Sequence, residues 1–149
     1  GEFFINSFSE SSEAFLKYEN FFFNSESKFY PTFTSTIDRA TPIPGDISIA
    51  SQSGAYGSHI YMVSHQRGLG IRYWITTGNE SDLSVGEAIQ LLAEDNNVHT
   101  IMAYVESVKN GSQFVKALET ARQEKKPVIL MKVGRKNFEN YKVMIFQKN

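Results

Sequence analysis

The chain has 149 residues, 41% hydrophobic and 21% charged, with a formal charge of -1 and no cysteine. That length fits one ordinary domain of about 100 to 200 residues, and the near-neutral charge disfavours a general nucleic-acid or polyanion binder. Without cysteine there is no disulfide scaffold, thiolate nucleophile or cysteine metal site. No apolar run approaches the roughly 18 to 20 residues of a bilayer span, so a soluble, cytoplasmic chain is the expectation.

Composition divides the chain into three stretches. Nine of the twelve phenylalanines precede residue 34. Residues 1–31 carry a formal charge of -3, residues 32–135 balance at 0, and residues 136–149 sum to +2. The expected organisation is an aromatic-rich N-terminal arm or helix over 1–31, a regular domain over 32–135 and a divergent tail over 136–149. Within the arm, Glu13, Ala14, Phe15, Tyr18 and Phe22 suit one face of a short helix. Such a helix would pack its aromatics on the body or on a second copy of the chain, leaving a homo-oligomer through the arm open.

From Thr41 the pattern is regular. Pro42, Pro44 and Gly45 punctuate the chain, Asp46–Ala50 reads as a strand, and Ser51-Gln52-Ser53-Gly54 is a turn into a helix that ends at Gly68-Leu69-Gly70. Ile71–Thr77 is the next strand. Ser84 with Glu87 forms a capping box, and Val85, Ala88, Ile89, Leu92 and Ala93 trace one helical face. Val98–Val105 is a third strand, Ser112 is placed to cap a third helix, and Pro127–Met131 is a fourth strand. Val143–Phe146 suits an added edge strand.

Strands alternating with helices require a parallel sheet with right-handed crossovers, and the near-continuous apolar strands suit a sheet covered on both faces. The fold class is therefore α/β, a flavodoxin-like or Rossmann-like three-layer arrangement. In such sheets ligands bind outside the carboxyl ends of the strands. The residues there are polar: Ser51, Gln52, Ser53 and Gly54 after the first strand, Gly78, Asn79 and Glu80 after the second, Glu106 and Ser107 after the third, and Lys132, Gly134 and Arg135 at the fourth.

A Ser/Gly turn feeding a helix aims free N–H groups and the positive end of the helix dipole at one point, which suits an oxyanion. Ser-x-Ser-Gly is equally ordinary turn and N-cap chemistry. Glu106, at a strand end, suits a carboxylate that orients a catalytic group or one that fixes a loop; Glu80 has the same two readings and also suits a simply solvated side chain. His59, His65 and His99 form no metal constellation by spacing. Neither Gly-x-Gly-x-x-Gly, nor a P-loop, nor a Gly-x-Ser-x-Gly elbow occurs.

The ordered series Gly45-Asp46-Ile47, Ser51-Gln52-Ser53-Gly54-Ala55, Arg67-Gly68-Leu69-Gly70, Thr77-Gly78-Asn79-Glu80, Tyr104-Val105-Glu106 and Lys125-Lys126-Pro127 through Lys132 with Gly134-Arg135 resembles the NDP-forming acyl-CoA synthetases. The likeness is to their succinyl-CoA-synthetase-like flavodoxin domain and covers about residues 32–135. Such enzymes interconvert acyl-CoA, NDP and phosphate with acid, CoA and NTP through an acyl phosphate and a phosphohistidine. The resemblance implies phosphate binding at Ser51, Gln52, Ser53 and Gly54, a catalytic carboxylate at Glu106 that steadies the phosphorylated imidazole, and an active-site turn at Gly78, Asn79 and Glu80.

After Arg135 the pattern departs. The family continues into a Ser-His-Thr-Gly-Ala-like segment that supplies the histidine, whereas Lys136-Asn137-Phe138-Glu139-Asn140 stands here and no histidine follows His99. A full ligase cycle by this chain alone is therefore not expected. The resemblance implies an ATP-grasp domain or subunit and a CoA-binding domain as partners. No cofactor is assigned to this chain; CoA, ATP or ADP and Mg are implied for the complete enzyme. The competing readings are a non-catalytic regulatory or interaction module on the same scaffold and, with less support in the loops, an FMN binder.

Overall fold

A computed structural model describes residues 21–30, 35–133 and 141–146. Four parallel strands form the centre of the sheet: β2 (Ile47–Ser51), β3 (Ile71–Thr76), β4 (Thr100–Val105) and β5 (Val128–Val133). They are joined by α2 (Gly54–Gln66), α3 (Val85–Glu94) and α4 (Gly111–Gln123). Strand β1 (Phe21–Asn24) pairs antiparallel with β3, and β6 (Tyr141–Phe146) pairs antiparallel with β5. A short helix, α1 (Thr36–Arg39), precedes β2. The order across the six-stranded sheet is β1-β3-β2-β4-β5-β6.

Both faces of the sheet are covered, which makes three layers. On one face Val85, Ala88, Ile89 and Leu92 of α3, with Ala117 and Ala121 of α4, close over Ala50, Ile75, Ile101, Ala103, Val128 and Leu130. On the other, Tyr61 of α2 packs with Phe23, Ala40, Ile49, Ile71 and Trp74. Strand β2 lies between β3 and β4, so the chain leaves it first to one side and then to the other. This reversal opens the crevice at the carboxyl end of β2.

Local chemistry sets the element ends. Helix α2 starts on Ser53, whose Oγ accepts the Tyr56 amide at 3.2 Å, and it ends where Gly68 takes a left-handed φ of 70°. The Gly68 and Leu69 amides return to the His65 and Ser64 carbonyls, both at 2.9 Å. Gly45 and Gly70 pass so closely that a Cβ on Gly45 would stand 2.3 Å from the Gly70 oxygen.

Three local expectations change. Phe22 lies on β1 opposite Ile75 instead of on a helix with Tyr18; the others of that expected face, Glu13 to Tyr18, fall outside the described residues, as do Gly134 and Arg135. Edge pairing to β3 and stacking of Phe22 on Tyr73, centroids 5.9 Å apart, hold this stretch extended. The cap of α4 is Asn110, whose side chain accepts the Gln113 amide at 3.1 Å; Ser112 lies inside the first turn and donates to the Asn110 side chain at 2.8 Å. The sheet is also mixed, because β1 and β6 add antiparallel edges to the parallel centre.

Candidate functional site

The turns after β2, β3 and β4 meet at the carboxyl edge of the sheet. Ser51 ends β2 fully buried, and its carbonyl accepts the Thr77 amide at 2.9 Å. Its hydroxyl donates to the Ser53 carbonyl at 2.7 Å and accepts the Ser53 amide at 3.1 Å. The donor capacity of Ser51 is thus spent in building the turn. Ser53 caps α2 through the lone pair that accepts from Tyr56, while its own O–H retains donor capacity.

A helix start leaves its first four amides without partners inside the helix. In α2 the Tyr56 amide goes to the Ser53 side chain and the Gly57 amide to the Ser53 carbonyl at 2.9 Å. The amides of Gly54 and Ala55 have no protein acceptor among the described residues, and both residues are exposed. No acidic side chain occupies the first turn, so the positive end of this 13-residue helix is not neutralised locally.

Gln52 is the meeting point of the loops. Its Oε1 accepts the amides of Glu106 at 2.5 Å and Ser107 at 3.0 Å, and its Nε2 donates to Glu80 Oε1 at 2.6 Å and the Ser107 carbonyl at 2.8 Å. Glu80 Oε1 also accepts the Val85 amide at 2.7 Å. The turn carrying Glu80 is sharply bent: Gly78 has a φ of 49° and Glu80, a residue with a Cβ, a φ of 57°. Such backbone conformations cost about 1 to 3 kcal/mol for residues other than glycine and are held by their surroundings. Here Lys109 Nζ donates to the Asn79 carbonyl at 2.6 Å and the Glu80 carbonyl at 3.1 Å.

Glu106 is exposed, just past the end of β4. Its backbone is held from two sides, by Gln52 at the amide and by Lys132 Nζ at the carbonyl, 2.7 Å away. Beneath the turns, Thr76 Oγ1, Thr77 Oγ1 and Glu80 Oε2 are buried without a hydrogen-bond partner among the described residues.

The structure therefore brings together Ser51, Gln52, Ser53, Gly54, Gly78, Asn79, Glu80 and Glu106. Ala55 and Lys109 were not singled out from the sequence. Ala55 was legible as the second amide of a capped helix; Lys109 lay on a loop with no local signal. The histidines are dispersed: Tyr56 and His59 rings lie 6.0 Å apart, His65 Nε2 is 2.9 Å from the Thr41 carbonyl, and His99 Nδ1 pairs with Asp46 at 2.9 Å. Among the described residues no three His, Asp or Glu side chains are gathered as metal ligands. No helix among them is long and apolar enough to cross a membrane.

The family model of the succinyl-CoA ligase-like flavodoxin domain matches residues 44–144. The chain belongs to that family. A trans-feruloyl-CoA synthase from an unknown prokaryotic organism is 34% identical over 108 residues, covering 71% of this chain and 15% of the relative. An ADP-forming acetate–CoA ligase of Archaeoglobus fulgidus is 31% identical over 101 residues, covering 68% and 15% respectively. A crystal structure of PH0766 from Pyrococcus horikoshii superposes with a TM-score of 0.66 at 27% identity, covering 76% of this chain and 25% of that one. The relatives include several ADP-forming acyl-CoA ligases, and the chain is an NDP-forming acyl-CoA synthetase-like domain. It spans about 15% of the length of the feruloyl-CoA synthase and of the Archaeoglobus fulgidus ligase.

Proposed function

We propose that this chain is the phosphoryl-binding part of an NDP-forming acyl-CoA synthetase, working with domains or subunits that supply the histidine, the nucleotide and CoA. The observation that carries this reading is the pair of exposed, unspent amides of Gly54 and Ala55 at the start of α2, beside the crevice of a parallel sheet. Two N–H groups and an unneutralised dipole favour a tetrahedral dianion. The Ser53 O–H adds a third donor, while Ser51 and Gln52 shape the turn without touching the ligand. Glu106 stands one loop away, on a backbone fixed at both its amide and its carbonyl. There its carboxylate accepts a hydrogen bond from the imidazole that carries or receives the phosphoryl group.

Titration with inorganic phosphate, followed by amide chemical shifts, tests the reading. The Gly54 and Ala55 amides move on addition, with saturation in the millimolar range; their silence at high millimolar phosphate refutes the cradle. Mixing the chain with an ATP-grasp subunit and a CoA-binding domain, with a histidine-bearing segment supplied, then separates enzyme from scaffold. CoA-dependent ATP turnover that Glu106→Gln lowers supports the assignment of Glu106.

A further inference from the structure

We propose that Gln52 is a positioning residue: it touches no phosphoryl group and instead clamps the Glu106 loop to the start of α2, with Glu80 setting the orientation of its amide. Its functional meaning rests on the phosphoryl-binding reading above; the clamp itself does not.

A primary amide has two donor hydrogens and an oxygen with two lone pairs. In Gln52 all four capacities are used, toward Glu106, Ser107 and Glu80. None is left for a ligand. The orientation is also determined, because exchanging O and N would press the NH2 group against two backbone N–H groups and the oxygen against a carboxylate and a carbonyl. Glu80 is a fixed reference for this choice, since its Oε1 also takes the Val85 amide and Lys109 holds its carbonyl. Lys132 completes the clamp on the far side of Glu106. The charged groups around Gln52 are thus Glu80, Glu106, Lys109 and Lys132.

Glutamate at this position would keep the acceptor toward Glu106 and Ser107 but lose both donors and face the Glu80 carboxylate. Two carboxylates in that relation share a proton more readily than isolated ones, so acid restores the donor. Alanine offers neither function at any pH. This difference separates positioning by a specific amide from general loop packing.

The test compares the unmodified chain with Gln52→Ala and Gln52→Glu, using amide hydrogen-exchange protection factors and titration with sulfate, which stays dianionic from pH 4.5 to 7.5. Gln52→Ala is expected to lower protection of the Glu106 and Ser107 amides about tenfold, as loss of one hydrogen bond implies, while core amides of β4 stay protected. In Gln52→Glu the sulfate response at Glu106 is weak at pH 7.5 and recovers toward pH 4.5; in Gln52→Ala it does not recover. Sulfate still shifts Gly54 and Ala55 in both variants. Unchanged protection of Glu106 and Ser107 in Gln52→Ala overturns the clamp. Loss of the Gly54 and Ala55 response with that loop still protected makes Gln52 a ligand and also overturns it. A silent Gly54 and Ala55 in the unmodified chain instead removes the phosphoryl reading, and the protection factors still decide the clamp.

Discussion

Gly54 and Gly57 sit nearly one turn apart on α2 and meet opposite surroundings. A Cβ on Gly57 would stand 2.5 Å from Trp74 Nε1, within a packed core, so Gly57→Ala overpacks the α2–β3 contact. A loss of about 1 to 3 kcal/mol in urea unfolding is the expected cost. At Gly54 the nearest atom to such a Cβ is Thr76 Cγ2 at 3.9 Å, and the position is the first of the helix, where proline is well accepted. Ser53 already has the extended backbone that a following proline requires, φ -114° and ψ 121°. Gly54→Pro therefore deletes one amide donor with stability held within about 0.5 kcal/mol, and phosphate affinity falls about tenfold or more, as expected for a hydrogen bond to a charged group. Unchanged affinity in a calorimetric titration would take Gly54 out of the site. The cap and the glycine were legible in the sequence because capping acts over three residues. The clamp at Gln52 was not, since its partners lie 28, 54 and 55 residues away and only the folded sheet edge brings them to it.

Helix α3 shows how far local grammar reaches. Its capping box formed as read, with the Glu87 amide on Ser84 Oγ at 3.2 Å and the Ser84 amide on Glu87 Oε2 at 2.8 Å. The far end depends on distant residues: Lys126 is buried, 7% exposed, and donates to the Ala93 and Asp95 carbonyls, both at 2.6 Å. Tyr73 donates its hydroxyl to Asp95 at 2.9 Å; burial and this carboxylate push the phenol up to about 12. Sequence periodicity shows a helical face but no tertiary cap, and β1 was misread for a related reason: Phe21–Asn24 becomes a strand only because the edge of β3 accepts it. Glu87 in the first turn of α3 and Asp95 just past its end are both held below their ordinary values. Burial acts to raise them, and hydrogen bonds outweigh it: from the Ser84 amide and hydroxyl and Gln113 for Glu87, and from the Asn97 amide, Tyr73 and the Asn97 side chain for Asp95. A lowered folded pKa contributes stability above the unfolded value, about 4, and that contribution disappears as pH falls through the folded value. Thermal midpoints are therefore expected to drop as pH is lowered from about 5 toward 2. Ser84→Ala, at a typical cap cost of about 1 kcal/mol, should flatten part of that drop, because Glu87 loses the Ser84 hydroxyl while keeping the backbone amide at 84 as a donor.

At the scale of the whole molecule, the two faces of the sheet are covered unequally toward β6. Val128 and Leu130 point into the layer formed by α3 and α4, while Ile129 and Met131, alternating with them, are only half-buried on the opposite face. Ile145 is paired with Ile129 and therefore shares that face, where it is 65% exposed; Leu130, on the other, is 2% exposed. Leu130 and Ile145 are thus apolar residues on adjacent strands and opposite faces, one in the core and one outside it. Leu130→Ala should cost about 2 to 5 kcal/mol, because it removes methyl groups from a packed interior. Ile145→Thr keeps a β-branched side chain and replaces an exposed ethyl group by a hydroxyl, so a change within about 0.5 kcal/mol is expected. Urea denaturation midpoints at equal slope distinguish them directly. Comparable losses at the two positions would mean that the β5–β6 register, or the side of the sheet on which α3 and α4 pack, is wrong.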